Sequence, residues 1–350
     1  FFFMLKTAYE ISLGLVCSEM CIRDRDARNQ YLDLWEKSGV NIASGTYAGP
    51  AKFEEAFGIS SNGIANAIAI INSIPEKLML VTTADHIIEA HETGKYGIIF
   101  DFQDTTPFGT DLNKVDFFYN LGLRVVQLTY NLRNLVGDGC TEIHKSGLTY
   151  FGKELVGKLN DMNILVDVSH CSEQVGWDTI ETSKSPVVIT HSASAAVFEH
   201  DRGKSDKLAK AIADNGGFFG VVIIPGFIQG SNTGNLDHWA MHIEHLVNVM
   251  GIDHICIGTD KMGPGPGTES LFEYPGEMPF TKAGEFSWQG WQEKHRVNGP
   301  SASGIKLEGY NDFGDWPNLT IKLAERGFNE EEIRKMLGLN YLRVYKEVVG

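Results

Sequence analysis

Basic residues are scarce in this sequence and form no cluster. The 350 residues include 30 Lys and Arg against 45 Asp and Glu, which gives a formal net charge of −15 at pH 7. A protein that binds nucleic acid neutralises phosphates with clustered basic side chains, so we expect no nucleic-acid partner. Long apolar runs are also missing. No window of about 18 apolar residues occurs, and the chain as given therefore contains no predicted membrane span.

Cysteine is rare, with five residues in the chain. Two of them lie within the first 25 residues, and the other three are Cys140, Cys171 and Cys256. Three is an odd number, and their spacing is not that of a metal site. We therefore expect free thiols in a reducing compartment, which favours the cytoplasm.

The first 25 residues differ in composition from the rest of the chain. Phe1–Arg25 resembles translated sequencing-adapter read-through, and we interpret it as a non-native segment. The alternatives are a real N-terminal strand and a signal peptide. Its apolar stretch is broken by Ser12 and Gly14, and the acidic Glu10 lies where a signal peptide carries positive charge. We expect residues 26–350 to form one domain, with a long loop at 261–315 and helices at the C-terminus.

Short apolar runs alternate with helix-length segments along the chain, and most of the runs end at a polar residue. These runs are Val40–Ala43, Gly97–Phe100, Arg124–Leu128, Ile164–Val168, Val187–Ile189, Phe218–Ile224 and His254–Ile257. Buried strands that alternate with helices predict a parallel sheet. We therefore expect a TIM-type (β/α)8 barrel of the metal-dependent-hydrolase kind that lacks its native first strand. In such barrels the C-terminal strand ends carry the active site.

Two histidines follow directly on neighbouring predicted strands, His170 in VDVSH and His191 in VVITH. Neutral imidazole is a common zinc ligand, so we expect the pair to share a metal ion; a lone histidine would more often be structural. Asp260, in IGTD, could serve as a general acid or base or as a helix N-cap. Arg202 could bind a carboxylate with two hydrogen bonds, or it could be an ordinary solvated arginine.

Several segments in order from Gly97 to the C-terminus resemble the membrane (renal) dipeptidase family of zinc metallopeptidases. They are LGLRVVQLTYN, GLTYFGKELVGKLNDMNILVDVSH, SPVVITHS, DRGKSD, IADNGGFFGVVI, GIDHICIGTD and EEIRKMLGLNYLRV. The resemblance implies an eight-stranded barrel that hydrolyses small dipeptides with a metal-activated water and one or two Zn²⁺ ions. A homodimer is one option for its assembly.

The resemblance also implies roles for single residues. His170 and His191 correspond to two zinc ligands, and Gln103 to a third, metal-bridging position. Asp260 corresponds to the active-site aspartate. Tyr130 is placed among the catalytic residues, and Arg202 and Asn131 are placed among those that bind substrate.

Four departures from the family pattern mark a divergent branch. No His-x-Asp pair precedes Ser44, the bridging glutamate is Gln103, the catalytic histidine after Leu-Thr is Tyr130, and the motif after the last strand reads Asp260-Lys-Met-Gly. An amide is a weaker metal ligand than a carboxylate. We therefore expect weak metal binding and slow dipeptide hydrolysis.

Two other function classes remain open on the sequence alone. One is a single-metal amidohydrolase-like enzyme that uses His170 and His191 on a non-peptide amide, an ester or a lactone. The other is a homologue that has lost both its metal and its activity. Metal content distinguishes the metal-free homologue from the two kinds of enzyme. A panel of dipeptides, esters and lactones distinguishes the dipeptidase from the single-metal amidohydrolase.

Overall fold

The computed structural model describes residues 3–5, 32–49, 51–230, 233–260, 306–311 and 313–350, with only the backbone for 3–5, 233 and 306. The strands are β1 Phe3–Leu5, β2 Ile42–Thr46, β3 Leu78–Leu80, β4 Tyr96–Phe102, β5 Leu123–Gln127, β6 Leu165–Asp167, β7 Val187–Ser194, β8 Gly203–Lys204, β9 Phe219–Val221, β10 Thr233–Asn235, β11 Ile255–Ile257 and β12 Lys306–Glu308. The helices are α1 32–38, α2 Phe53–Ser73, α3 Ala84–Thr93, α4 Asn113–Asn120, α5 Tyr150–Asp161, α6 Glu173–Thr182, α7 Asp206–Asp214, α8 Pro225–Ile228, α9 Leu236–Met250, α10 Trp316–Glu325, α11 Glu330–Arg334 and α12 Asn340–Val348.

The main sheet of the described residues is parallel and curled. Its hydrogen-bonded order is β1-β2-β4-β5-β6-β7-β9-β11, with β3 added beside β4 and β8 beside β7. Strand β1 pairs with β2 and also lies close to β11, so the two ends of the sheet approach each other. The fold is the TIM-type (β/α)8 barrel that the sequence predicted. Among the described residues, no helix is both long and apolar enough to cross a bilayer.

The predicted strands from residue 40 onward are present, with bounds that differ by a few residues. Strand β2 runs to Thr46, beyond the predicted end at Ala43. The run predicted to extend to Ile224 is β9, which ends at Val221 because Pro225 begins the short helix α8. The prediction missed β3. A π-helix at Lys335–Leu339 joins α11 to α12.

The position before β2 is filled by β1, three residues from within the segment Phe1–Arg25. The interpretation of that segment as non-native stays a prediction. The predicted loop at 261–315 lies outside the described residues as far as 305. Its final part contains β12, which pairs with β10, and a 3₁₀ turn at Phe313–Asp315.

The side chains that point into the barrel form two layers of different chemistry. The layer near the N-terminal strand ends is apolar, and α12 packs against it through Tyr341 and Tyr345. Its strand residues are Ile42, Ile99, Val125, Leu165, Val188, Phe218 and Cys256. Two residues further along several strands the buried side chains are polar: Ser44, Asp101, Gln127, Asp167 and Thr190. Because side chains two apart share a face of a strand, this polar layer lies directly below the C-terminal face.

Loops of different lengths lead from the C-terminal strand ends into the helices. The N-cap side chains of α5, α6 and α7 (Thr149, Ser172 and Ser205) each accept a hydrogen bond from a backbone N–H of the first turn. Such a cap stabilises a helix by about 1 kcal/mol. The cap Ser172 follows His170 by two residues, so the loop that carries this histidine is fixed at both ends.

His242 is a fully buried histidine that joins α9 to the end of β7. Its Nδ1 accepts a hydrogen bond from the backbone N–H of Ser194 at 3.1 Å, and its Nε2 donates to the carbonyl of Ile228 at 2.9 Å. Burial lowers the pKa of His242 to about 4. The ring is therefore neutral in the folded protein at neutral pH.

This pKa predicts an acid-sensitive contribution to stability. Between pH 6.5 and about 4 the unfolded chain binds a proton at His242 that the folded chain does not, so the free energy of unfolding falls as the pH falls. We expect wild type to lose about 2 kcal/mol more than His242→Gln between pH 7 and pH 5. Urea unfolding of both proteins at the two pH values measures this difference. Equal losses would contradict the assignment.

Candidate metal centre

Six of the candidate site residues lie at the C-terminal ends of five strands of the parallel sheet. Gln103 directly follows β4, and Tyr130 and Asn131 follow β5. His170 follows β6, His191 lies within β7, and Asp260 follows β11. The structure brings His170, His191 and Asp260 together, with one donor atom from each lying within 4.8 Å of the others.

The two histidine rings face each other through their Nε2 atoms. His170 Nε2 lies 2.9 Å from His191 Nε2. On the other side of its ring, His170 Nδ1 lies 2.7 Å from the side-chain oxygen of Asn131. An amide oxygen can only accept a hydrogen bond, so Nδ1 of His170 carries the proton and its Nε2 presents a lone pair.

The tautomer of His191 is set by a chain of two buried residues. His191 Nδ1 lies 2.7 Å from Thr190 Oγ1, and the hydroxyl of Thr190 donates to Asp167 Oδ2 at 2.5 Å. Because that hydroxyl has a single proton, His191 Nδ1 must be the donor to Thr190 Oγ1. The Nε2 atom of His191 therefore also presents a lone pair, towards His170.

Two lone pairs at 2.9 Å repel each other unless a proton or a cation is shared between them. A proton is disfavoured, because burial, with the charges of Arg202 and Lys204 adding to it, lowers the pKa of both histidines well below the usual value. Neutral imidazole Nε2 is a preferred ligand of zinc. The donor set therefore fits a metal ion.

Asp260 adds an anionic oxygen to the histidine pair. Its Oδ1 lies 3.8 Å from His191 Nε2 and its Oδ2 lies 4.0 Å from a guanidinium nitrogen of Arg202. Burial raises the pKa of Asp260 to about 7, although the Arg202 charge opposes this shift. The backbone φ of 49° is left-handed, a conformation that aspartate tolerates better than most residues. The turn aims the carboxylate at the histidines.

Gln103 and Tyr130 border the same two rings. Gln103 Nε2 lies 3.4 Å from His191 Nε2, and the Tyr130 ring stacks on the His170 ring with centroids 4.2 Å apart. Beneath the rings a small cavity is lined by the polar layer of the barrel together with Gln103 and His191. The Gln103 side chain therefore lies beside the Nε2 atom of His191.

Arg202 lies against the segments that carry the two histidines. Its side chain is fully buried. Its two terminal nitrogens donate to the backbone carbonyls of Ser169 at 2.5 Å and His191 at 2.9 Å. Asn131 likewise uses its side-chain oxygen on His170. Both residues assigned to substrate binding therefore contact the histidines or their backbone.

Sequence reasoning did not single out Asp167 or Thr190, which support His191. Their signal was present, because a polar residue interrupts each of the apolar runs VDVSH and VVITH. The neighbouring strands also require glycine at two positions beside Thr190. A Cβ atom on Gly220 or Gly258 would lie 1.8 or 1.9 Å from the Thr190 carbonyl oxygen. Close packing of three strands thus fixes the backbone that carries His191.

A (β/α)8 barrel with a histidine pair and an aspartate at its C-terminal face defines a protein of the metal-dependent hydrolase type. The sequence model of the membrane dipeptidase family, peptidase family M19, matches residues 36–275 and 299–349. The chain belongs to this family.

Individual relatives agree with the family. An uncharacterized dipeptidase of Schizosaccharomyces pombe is 27% identical over 278 residues, which cover 77% of this chain and 58% of that protein. The chain thus spans little more than half the length of this curated relative. A solved amidohydrolase from Pseudomonas aeruginosa has a TM-score of 0.80 at 30% identity and covers 100% of this chain and 96% of its own. A metallopeptidase from Rhodobacter sphaeroides, liganded with a phosphinate mimic of L-Ala-D-Ala, has a TM-score of 0.79 at 17% identity, with 99% of each chain covered. At 17% identity, the likeness to the Rhodobacter sphaeroides metallopeptidase is a likeness of fold.

Proposed function

We propose that this protein is a metal-dependent dipeptidase that hydrolyses the amide bond of small dipeptides. The observation that carries the proposal is the cluster of His170, His191 and Asp260, in which the Nε2 lone pairs of the two histidines face each other at 2.9 Å. The family and the dipeptidases within it supply the substrate class.

The two histidines would hold the metal, with Asp260 or Gln103 as a further ligand. A bound Zn²⁺ ion supplies a Lewis acid that polarises the scissile carbonyl and lowers the pKa of water. The Nδ1–H groups of His170 and His191 donate to Asn131 Oδ1 and Thr190 Oγ1, which fixes the tautomer that presents Nε2 and orients both rings.

Asp260 is the proposed proton carrier. A carboxylate beside the histidine pair can take a proton from water and return it to the leaving amine. Tyr130 is proposed to contact the substrate as the hydrogen-bond donor to the carbonyl oxygen, because its ring stacks on His170 and a phenol can stabilise a developing negative charge there.

A second candidate is a single-metal amidohydrolase that acts on a non-peptide amide, an ester or a lactone. Gln103 favours it, because an amide at this position withholds the negative charge that a second dication would need. The solved relative at 30% identity is described as an amidohydrolase.

Metal analysis and a substrate panel test the proposal. We expect the purified chain to bind at most one Zn²⁺ tightly and to hydrolyse dipeptides slowly, with the activity lost on chelation and recovered on addition of Zn²⁺. Hydrolysis of esters or lactones without any dipeptide turnover would favour the second candidate. Two tightly bound zinc ions per chain with fast dipeptide turnover would contradict the expected weak site, and no metal-dependent hydrolysis at all would contradict both candidates.

A further inference from the structure

We propose that Asp167 is a positioning residue whose negative charge selects the tautomer in which His191 can bind a metal ion. This inference deepens the proposed function and rests on its metal site. Asp167 is buried in the polar layer of the barrel. It acts on His191 through the side chain of Thr190, which lies between the carboxylate and the imidazole ring.

Four hydrogen bonds converge on the carboxylate of Asp167. Its Oδ1 accepts from the backbone N–H and the hydroxyl of Ser169 at 2.9 and 2.5 Å, and from the backbone N–H of Thr190 at 3.0 Å. Its Oδ2 accepts from the hydroxyl of Thr190 at 2.5 Å. Burial raises the pKa of Asp167, and these hydrogen bonds oppose that shift. Because Ser169 precedes His170 and Thr190 precedes His191, one carboxylate joins the two strand ends that carry the histidines.

The charge of Asp167 determines where the hydroxyl proton of Thr190 points. An ionised carboxylate can only accept, so the hydroxyl donates to Oδ2 and its oxygen accepts the Nδ1 proton of His191. With a donor in the place of Oδ2, the hydroxyl proton would turn to Nδ1 of His191, and the imidazole proton would move to Nε2. That atom lies 2.9 Å from His170 Nε2, so the proton would occupy the place of the metal ion.

The variant Asp167→Asn puts a donor in the place of Oδ2 with little change in shape. Three of the four hydrogen bonds end at Oδ1, so the amide oxygen takes that place and the NH2 group lies beside Thr190 Oγ1. Asparagine in place of an aspartate that orients a histidine can leave the geometry intact and still impose the wrong tautomer. We therefore expect His191 to carry its proton on Nδ1 in the wild type and on Nε2 in Asp167→Asn.

Nuclear magnetic resonance of the metal-free protein, with isotope labels at the histidine nitrogens, distinguishes the two tautomers. The variant His191→Ala identifies the signals of His191. Zinc affinity is titrated in the same proteins, and we expect Asp167→Asn to weaken it about 10- to 100-fold, the range for groups that orient metal ligands. The tautomer measurement stands even if the wild type proves not to be a dipeptidase.

Two control variants separate this role from a general effect of buried charge. Thr190→Ser keeps the hydroxyl between Asp167 and His191, so it should keep the wild-type tautomer. Asp101→Asn removes another buried carboxylate of the same polar layer, one that accepts a hydrogen bond from Ser44. This second control should also leave the proton of His191 on Nδ1, and a proton on Nε2 in either control would contradict the relay through Thr190.

Other results would overturn the inference directly. A proton on Nε2 of His191 in the wild type would show that Asp167 does not hold the hydroxyl proton of Thr190. A purely structural role would lower the Tm of Asp167→Asn and leave both the tautomer and the zinc affinity unchanged. If Asp167→Asn does not fold, Thr190→Val decides in its place, because it removes the hydroxyl of the relay. We expect the same loss of zinc affinity there, and an unchanged affinity would overturn the inference.

Discussion

Replacing His191 with alanine should remove measurable zinc binding and reduce metal-dependent hydrolysis to background. The variant loses one of two imidazoles whose Nε2 atoms lie 2.9 Å apart, and it leaves only His170 and Asp260 in the donor cluster. The loss of a residue that only orients a metal ligand weakens metal affinity about 10- to 100-fold. The loss of a ligand itself should therefore weaken zinc affinity by more than roughly 100-fold.

Titration with a chromophoric zinc chelator gives the affinity directly, and the zinc-dependent rise in Tm gives a second readout. At 100 times its dissociation constant, zinc should stabilise the wild type by about 2.7 kcal/mol, and the variant should show no rise. His245→Ala is the control, since His245 pairs with Asp206 at 2.8 Å on the outer helices. Unchanged zinc affinity in His191→Ala would remove the candidate site from consideration.

Replacing Gln103 with glutamate should tighten zinc binding by about 10- to 100-fold. The amide of Gln103 lies 3.4 Å from His191 Nε2, so a carboxylate at the same place would add an anionic oxygen next to the histidine pair. Carboxylates are stronger zinc ligands than neutral amides. Activity should rise by a smaller factor, because no His-x-Asp pair follows the first-strand position.

The comparison variant is Gln103→Met, which removes the amide and adds no charge. Its zinc affinity should equal that of wild type or fall slightly, so that any gain in Gln103→Glu comes from the carboxylate. Affinity and the number of bound zinc ions are measured together by titration and elemental analysis. A weaker site in Gln103→Glu would show that the side chain points away from the metal in the loaded protein.

The sequence predicted the barrel well because parallel strands are buried on both faces. Runs such as those that became β4 and β7 are nearly continuous in apolar residues, and such runs stand out in a single sequence. It failed at β3, whose three residues are too short to show a period.

The candidate metal ligands could also be predicted, for a topological reason. His170, His191 and Asp260 each follow an apolar run at a C-terminal strand end, and all such ends of a parallel barrel meet on one face. The residues that support the ligands could not be assigned in the same way. Asp167 and Thr190 lie inside the barrel, where their partners come from other strands.

The sequence by itself determined the class of fold, the histidine pair and the family, because all three depend on local patterns of residue type along the chain. Only the tertiary structure decided what Arg202 and Asn131 contact. The resemblance assigned both residues to substrate binding. In the folded chain, Asn131 contacts the side chain of His170, 39 residues away, and Arg202 contacts the backbone carbonyls of Ser169 and His191, 33 and 11 residues away. Hydrogen-bond partners across such separations depend on how strands pack side by side, and no local pattern encodes that packing.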